Sequence, residues 1–205
     1  MPSSATQRGA LMDVISSRAA TGARPRSAVI SWLWKEGALA LVGVALLALS
    51  ARVIIPLPFS PVPITGQTFA VLLIAAAYGA QRGLATVALY ILAGIAGAPV
   101  FAAVPGVASY GYIAGFALAA IVVGWLAERG WDRTLLRSIF AMLAGEVAIY
   151  LCGLVWLARF VGWGNVIALG LVPFVVGDAT KLLVAALLLP AAWRAVNATF
   201  GQEAR

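Results

Sequence analysis

The sequence predicts an all-α integral membrane protein with six transmembrane helices and both termini in the cytoplasm. Three observations lead there. Of the 205 residues, 63% are hydrophobic and 10% charged, against roughly 45–50% and about 25% in soluble globular proteins. So few charges do not wet a 21.2 kDa globule of mean hydropathy +1.00, whereas lipid tails are a solvent that such a chain suits. The apolar residues gather into six stretches, and the basic residues between them are distributed asymmetrically.

Residues 1–35 are polar, Ser/Arg-rich and weakly periodic, with Arg8, Arg18, Arg24, Arg26 and Lys35. A secretory signal would follow its positive residues with a short apolar core, a small-residue cleavage site and a soluble domain. More membrane follows here, so the stretch reads as a retained, mostly disordered basic tail. Asp13 speaks against an Arg/Ser-rich presequence. A membrane body over 36–195 and a short tail over 196–205 complete the chain.

The six apolar stretches are Ala38–Ile55, Ile64–Gln81, Gly83–Val104, Tyr110–Ala127, Ser138–Ala158 and Val166–Trp193. Each is near or above the roughly 17–25 residues that cross a bilayer. Only Gln81-Arg82-Gly83 separates the second from the third, which predicts a tight helical hairpin. The last is long enough for a preliminary segment plus a helix beginning near Pro173. With the N-terminus inside, the cytoplasmic side holds the five basic residues of the tail with Arg82, Arg129, Arg133, Arg137, Arg194 and Arg205. Only Arg52 and Arg159 fall outside, a strong positive-inside bias. Trp32, Trp34, Trp125, Trp131, Trp156, Trp163 and Trp193 sit near helix ends, as an interfacial aromatic belt does. Gly111-x-x-x-Gly115, Ala76-x-x-x-Ala80 and Ala141-x-x-x-Gly145 set small residues on one helix face, where backbones can approach.

Several function classes drop out. With no His and one Cys, Cys152, there is neither an intramolecular disulfide nor a His/Cys metal site. No cofactor is expected. The net charge of +7 is not gathered into the stripe that binds nucleic acid; membrane lipid is the expected surrounding.

The informative residues are polar ones where hydrocarbon disfavours them. Glu146, Asp178 and Lys181 lie inside apolar spans, where a charge costs on the order of 2.5–3.5 kcal/mol or more. Asp178 and Lys181 are three apart and share a helix face. Mutual neutralisation is one reading. A self-sufficient pair gains little over two apolar residues, which favours a role toward a substrate or ion. Glu146 has no obvious local partner, which leaves two readings, a protonated carboxyl bonded to another helix or a group facing the same cavity, and Tyr150 lies one turn away. Between the first two stretches, Pro56, Pro58, Pro61 and Pro63 make a stiff extended loop. It ends in the hydrogen-bonding groups of Thr65, Gly66, Gln67 and Thr68, and reads either as a rigid connector with a helix cap or as a lid presenting polar groups to a ligand. A third element, Gly94 to Phe101, loosens the outer end of the third stretch. Together these predict an outward-open small-molecule pocket with an ionic floor and a proline-stiffened roof.

Four segments together resemble the BioY family, the biotin-specific S components of energy-coupling-factor (ECF) transporters. They are Pro61-Val-Pro-Ile-Thr-Gly-Gln67-Thr-Phe, Tyr90 through Phe101, Gly111-Tyr-Ile-Ala-Gly-Phe116, and Pro173-Phe-x-x-Gly-Asp178-x-x-Lys181. The resemblance spans about residues 38–193. It implies an S-component-like bundle in a bacterial inner membrane, vitamin capture from outside, and import. For most members it also implies a module of one transmembrane coupling protein and two cytoplasmic ATPases; some are thought to work without one, as oligomers. Residue by residue, it implies a pocket drawing on Thr65, Gln67, Tyr112, Asp178 and Lys181, to which the residue reading adds Glu146 and Tyr150. The chain departs from the family pattern where Tyr110-Gly-Tyr112 replaces Gly-Gly-Tyr, and where residues 38–51 lack a small-x-x-x-small pair. It has no Gly-rich phosphate loop for ATP hydrolysis. The alternatives are an S component for another vitamin such as thiamine, which as a cation would disfavour Lys181, and an intramembrane enzyme using Glu146 and Asp178. The latter lacks a nucleophile–base pair.

Overall fold

The computed structural model describes residues 10–13, 28–102 and 107–200. Its helices are α1 (Ala28–Ser50), α2 (Gln67–Tyr78), α3 (Ala80–Ile95), α4 (Tyr110–Glu128), α5 (Leu135–Val161), the short α6 (Val166–Gly170) and α7 (Val175–Phe200). Between α1 and α2, strands β1 (Ile54–Ile55) and β2 (Ile64–Thr65) pair antiparallel, Ile54 opposite Thr65 and Ile55 opposite Ile64. The intervening prolines cannot supply ladder donors, so the ladder stops after two residues on each side.

Helix boundaries depart from the apolar stretches in ways the residues explain. α1 starts at Ala28, ten residues before Ala38, because Ala28–Trp34 is an uncharged run that continues the helix. That takes in the end of the segment read as disordered tail. Earlier in the same segment Ala10 and Leu11 are buried, Leu11 against Trp193, and Asp13 pairs with Arg82, which also holds Glu36. Residues 1–9 and 14–27 lie outside the described residues. At the other end α7 continues to Phe200, into the stretch read as a short tail.

The hairpin between α2 and α3 turns at Gly79, not at Gln81-Arg82-Gly83. Gly79 has φ +83°, a conformation that side chains with a Cβ rarely adopt. Glu128 accepts from the Ala80 N–H at 2.8 Å, closing the start of α3. Arg82 is therefore helical, its charge met by Glu36 and Asp13. As the last apolar stretch predicted, it divides into a short segment, α6, and a long helix after Pro173.

α4 is the central helix, packing on α2, α3 and most extensively on α5. Gly115 makes that last contact possible: a Cβ there would lie 2.8 Å from Ile149 Cα and 2.9 Å from its carbonyl oxygen. The Gly111-x-x-x-Gly115 spacing is thus a real interface, with Gly111 against Cys152 and Trp156. Tyr90, Leu47, Leu72, Met142, Ile149 and Leu157 fill the core.

The outer surface inverts the pattern of a soluble protein. Leu41, Leu92, Leu151 and Leu187 are exposed while Gln67, Thr86, Glu146 and Asp178 are buried. Among the described residues, three segments are long and apolar enough to cross a membrane: Val107–Glu128, Leu135–Val161 and Val166–Thr199. α2, at 12 residues, spans only about 18 Å at 1.5 Å per residue. Trp34, Trp125 and Trp163 are exposed, as belt residues are; the Trp32 side chain lies outside the described residues. Trp193 is instead buried, its indole N–H donating to Asp132 Oδ2. Burial pushes the Asp132 carboxyl up to about 6, against the opposing pull of that indole.

Candidate substrate-binding site

A cavity of about 80 Å³ opens between the β1–β2 loop, α2, α4, α5 and α7. Its lining includes six residues singled out in the sequence: Thr65, Gln67, Tyr112, Tyr150, Asp178 and Lys181. They are brought together from positions more than a hundred residues apart, which only the tertiary fold can do.

One end is an ionic network. Lys181 Nζ donates to Asp178 Oδ1 at 2.9 Å, to the Thr65 carbonyl at 2.7 Å and to Thr68 Oγ1 at 3.2 Å. That uses all three ammonium donors. Asp178 Oδ1 also accepts from Thr68 Oγ1 at 3.3 Å, and Oδ2 accepts from the Tyr150 hydroxyl. The pair is neutral and internally satisfied, and it also faces a void. The charges pair as the mutual-neutralisation reading expects, and the pair also lines a hollow.

The walls are apolar and aromatic. Phe116, Ile113, Ile149 and Phe174 line them with Tyr112. Tyr112 is held by its hydroxyl donating to the Gly170 carbonyl at 2.8 Å, and its ring lies edge-on to Tyr150. Because that carbonyl ends α6, the short helix fixes a wall of the cavity. Tyr110 and Phe101 close another side. Gln67, buried in the first turn of α2, donates to Tyr90 Oη, which donates to the Val100 carbonyl at 3.1 Å. This chain ties the polar end of α2 to the Gly/Pro segment after α3. Ser60 Oγ donates to the Leu169 carbonyl at 2.8 Å, anchoring the proline-rich loop to α6.

Glu146 is placed differently. It is 4% exposed, does not line the cavity, and neither carboxylate oxygen has a hydrogen-bond partner among the described residues. Among the described residues no three His, Cys, Asp or Glu side chains gather as a metal site.

Phe116 and Phe174, which line the cavity, were not singled out in the sequence as site residues, and Thr68 was named there only among the polar groups ending the proline loop. Thr68 stands three residues after Thr65 on the same loop-to-helix junction, which was the available signal. For the aromatic residues none distinguished lining from ordinary core.

Comparison with known proteins agrees with the four motifs. The chain matches the BioY family model over residues 21–198. It is 35% identical over 160 residues to the probable biotin transporter BioY of Pyrococcus horikoshii, covering 75% of this chain and 93% of that one. It is 40% identical over 141 residues to the biotin transporter BioY of Thermotoga maritima, covering 65% and 82%. The Rhizobium etli biotin transporter BioY is 34% identical over 163 residues, covering 73% and 87%. In fold, the chain is similar to the crystal structure of the S-component for biotin from an ECF-type ABC transporter. The TM-score is 0.68 at 18% identity, over 84% of this chain and 95% of that one. With an S-component fold and a family match over most of its length, the chain belongs to the BioY family.

Proposed function

We propose that the protein binds biotin in this cavity and is the substrate-capture S component of an ECF-type biotin importer. The observation that carries the reading is a hollow in a BioY-family bundle whose apolar walls end in the Asp178–Lys181–Thr68–Tyr150 network. Biotin's thiophane ring and aliphatic chain suit the walls. Its ureido group needs donors and acceptors together, which hydroxyls, Gln67 and a carboxylate provide. Its carboxylate favours a cation.

The pocket faces outward in this proposal, in a six-span protein of a bacterial inner membrane with both termini cytoplasmic. The positive-inside bias supports that orientation. A coupling protein and two ATPases would supply the energy, since the chain has no phosphate loop of its own. The relatives named above are transporters, so the enzyme reading with Glu146 and Asp178 has no support from them.

The test is the mass of the small molecule released when protein purified in detergent is denatured, together with binding of added biotin. Biotin in the released fraction, or saturable biotin binding by the emptied protein, is expected. Release of thiamine or another cationic vitamin, with no biotin binding, would overturn the reading.

A further inference from the structure

The cavity's ionic network is already electrically complete, and the proposed ligand brings a charge. Lys181 contributes one positive charge and Asp178 one negative, and every Lys181 donor is engaged. Whichever way biotin enters, its carboxylate adds a negative charge to a site surrounded by apolar helices. Such a charge is costly in hydrocarbon unless something compensates it.

Glu146 is the group able to respond. Its carboxylate sits in the middle of α5, one turn before Tyr150, with both oxygens buried and unpartnered. Tyr150, the titratable residue one turn on along α5, donates to Asp178 Oδ2, and Asp178 holds Lys181, so the charged network of α7 begins one helical turn from Glu146. From α2 and α4, the apolar Leu72 and Val123 lie nearest the adjacent Gly145. The short α6 carries no ionisable residue. If Glu146 were ionised beside a bound carboxylate, three negative charges would share one ammonium. With a proton on Glu146, two do.

We infer that Glu146 is a proton-binding site coupled to the cavity, carrying a proton whenever the cavity holds an anionic ligand. The inference rests on the biotin reading. It assigns Glu146 a role without ligand contact: its proton substitutes for a second cation. By linkage, a ligand that favours the protonated form draws protons in as it binds, and its affinity falls as pH rises. Below the pH at which ligand-free Glu146 ionises, affinity is constant. Above it, affinity declines by up to about tenfold per pH unit.

The experiment measures biotin binding to the full-length detergent-solubilised protein by calorimetry, between about pH 6 and pH 9, where a free carboxyl is already ionised. Buffers of different ionisation heat give the protons taken up per biotin. The expected result is proton uptake and weakening affinity toward high pH in the wild type, both absent in Glu146→Gln and both retained in Glu146→Asp. Wild-type protein alone decides if a variant fails to fold, because zero uptake across the range overturns the inference. So does the same pH slope in wild type and Glu146→Gln. Either result, with biotin still bound, leaves the biotin reading standing; no biotin binding at any pH removes both.

Discussion

Asp178 accepts from a lysine, a threonine and a tyrosine, so the loss of any one donor leaves a buried carboxylate under-satisfied. Hydrogen bonds to a charged group contribute roughly 1.5–3 kcal/mol each. Tyr150→Phe and Thr68→Val are therefore expected to weaken biotin binding by about ten- to a hundredfold in equilibrium dialysis, with the protein still eluting as a folded species. Wild-type affinity in both would show that the network does not hold the ligand. Asp132 makes a separate prediction. Its folded carboxyl is raised to about 6 from an ordinary 3.8 by burial, so between those values the folded state binds the extra proton. Stability from this group is full below the unfolded value and falls as pH rises to about 6. Asp132→Asn, which can still accept from Trp193, should gain melting temperature relative to wild type from pH 4 to pH 6. A difference that stays flat over that range would refute the burial argument. At this scale the sequence was legible where a residue violated its solvent. Asp178, Lys181 and Glu146 stood out because charge is expensive in hydrocarbon. Tyr90 did not, because a hydroxyl on an apolar helix violates little.

Among the elements, the α4–α5 pair depends on backbone approach. Gly115→Ala places a methyl 2.8 Å from Ile149 Cα, and a backbone atom in a packed helix cannot swing aside. Overpacking of this kind costs about 1–3 kcal/mol, which should appear as a lower melting temperature in detergent. Gly37 on α1 has nothing within 4 Å, so Gly37→Ala should be neutral or slightly stabilising. Equal melting of the two variants would contradict the close-packing account. The prolines marked the loop after α1, and Pro173 marked the start of the last long helix. The turn at Gly79 was misplaced because Arg82 read as a loop charge, and its partners, Glu36 and Asp13, lie 46 and 69 residues away. No local pattern reveals such a pairing.

For the whole molecule, the six apolar stretches correspond to six helices of unequal length and the short α6 among the described residues, three of the segments long and apolar enough to cross a membrane. Composition made the bundle legible, but not which stretches would shorten: α2 lost Ile64 and Thr65 to a strand and its last turn to Gly79. The proposed topology places the C-terminus inside, so a reporter active only in the cytoplasm should be active when fused after Arg205; activity only of an external reporter would reverse the orientation. What links the bundle to its proposed work is the void beside the ion pair. The most direct test is calorimetric titration of biotin into the double variant Asp178→Asn, Lys181→Met. Removing both charges leaves no unpaired ion, so the fold should hold or gain stability. The expected result is a folded protein with biotin affinity lost by on the order of a hundredfold or more, since each lost hydrogen bond to a charged group is worth roughly 1.5–3 kcal/mol. Undiminished affinity in that variant would contradict the assignment of the cavity.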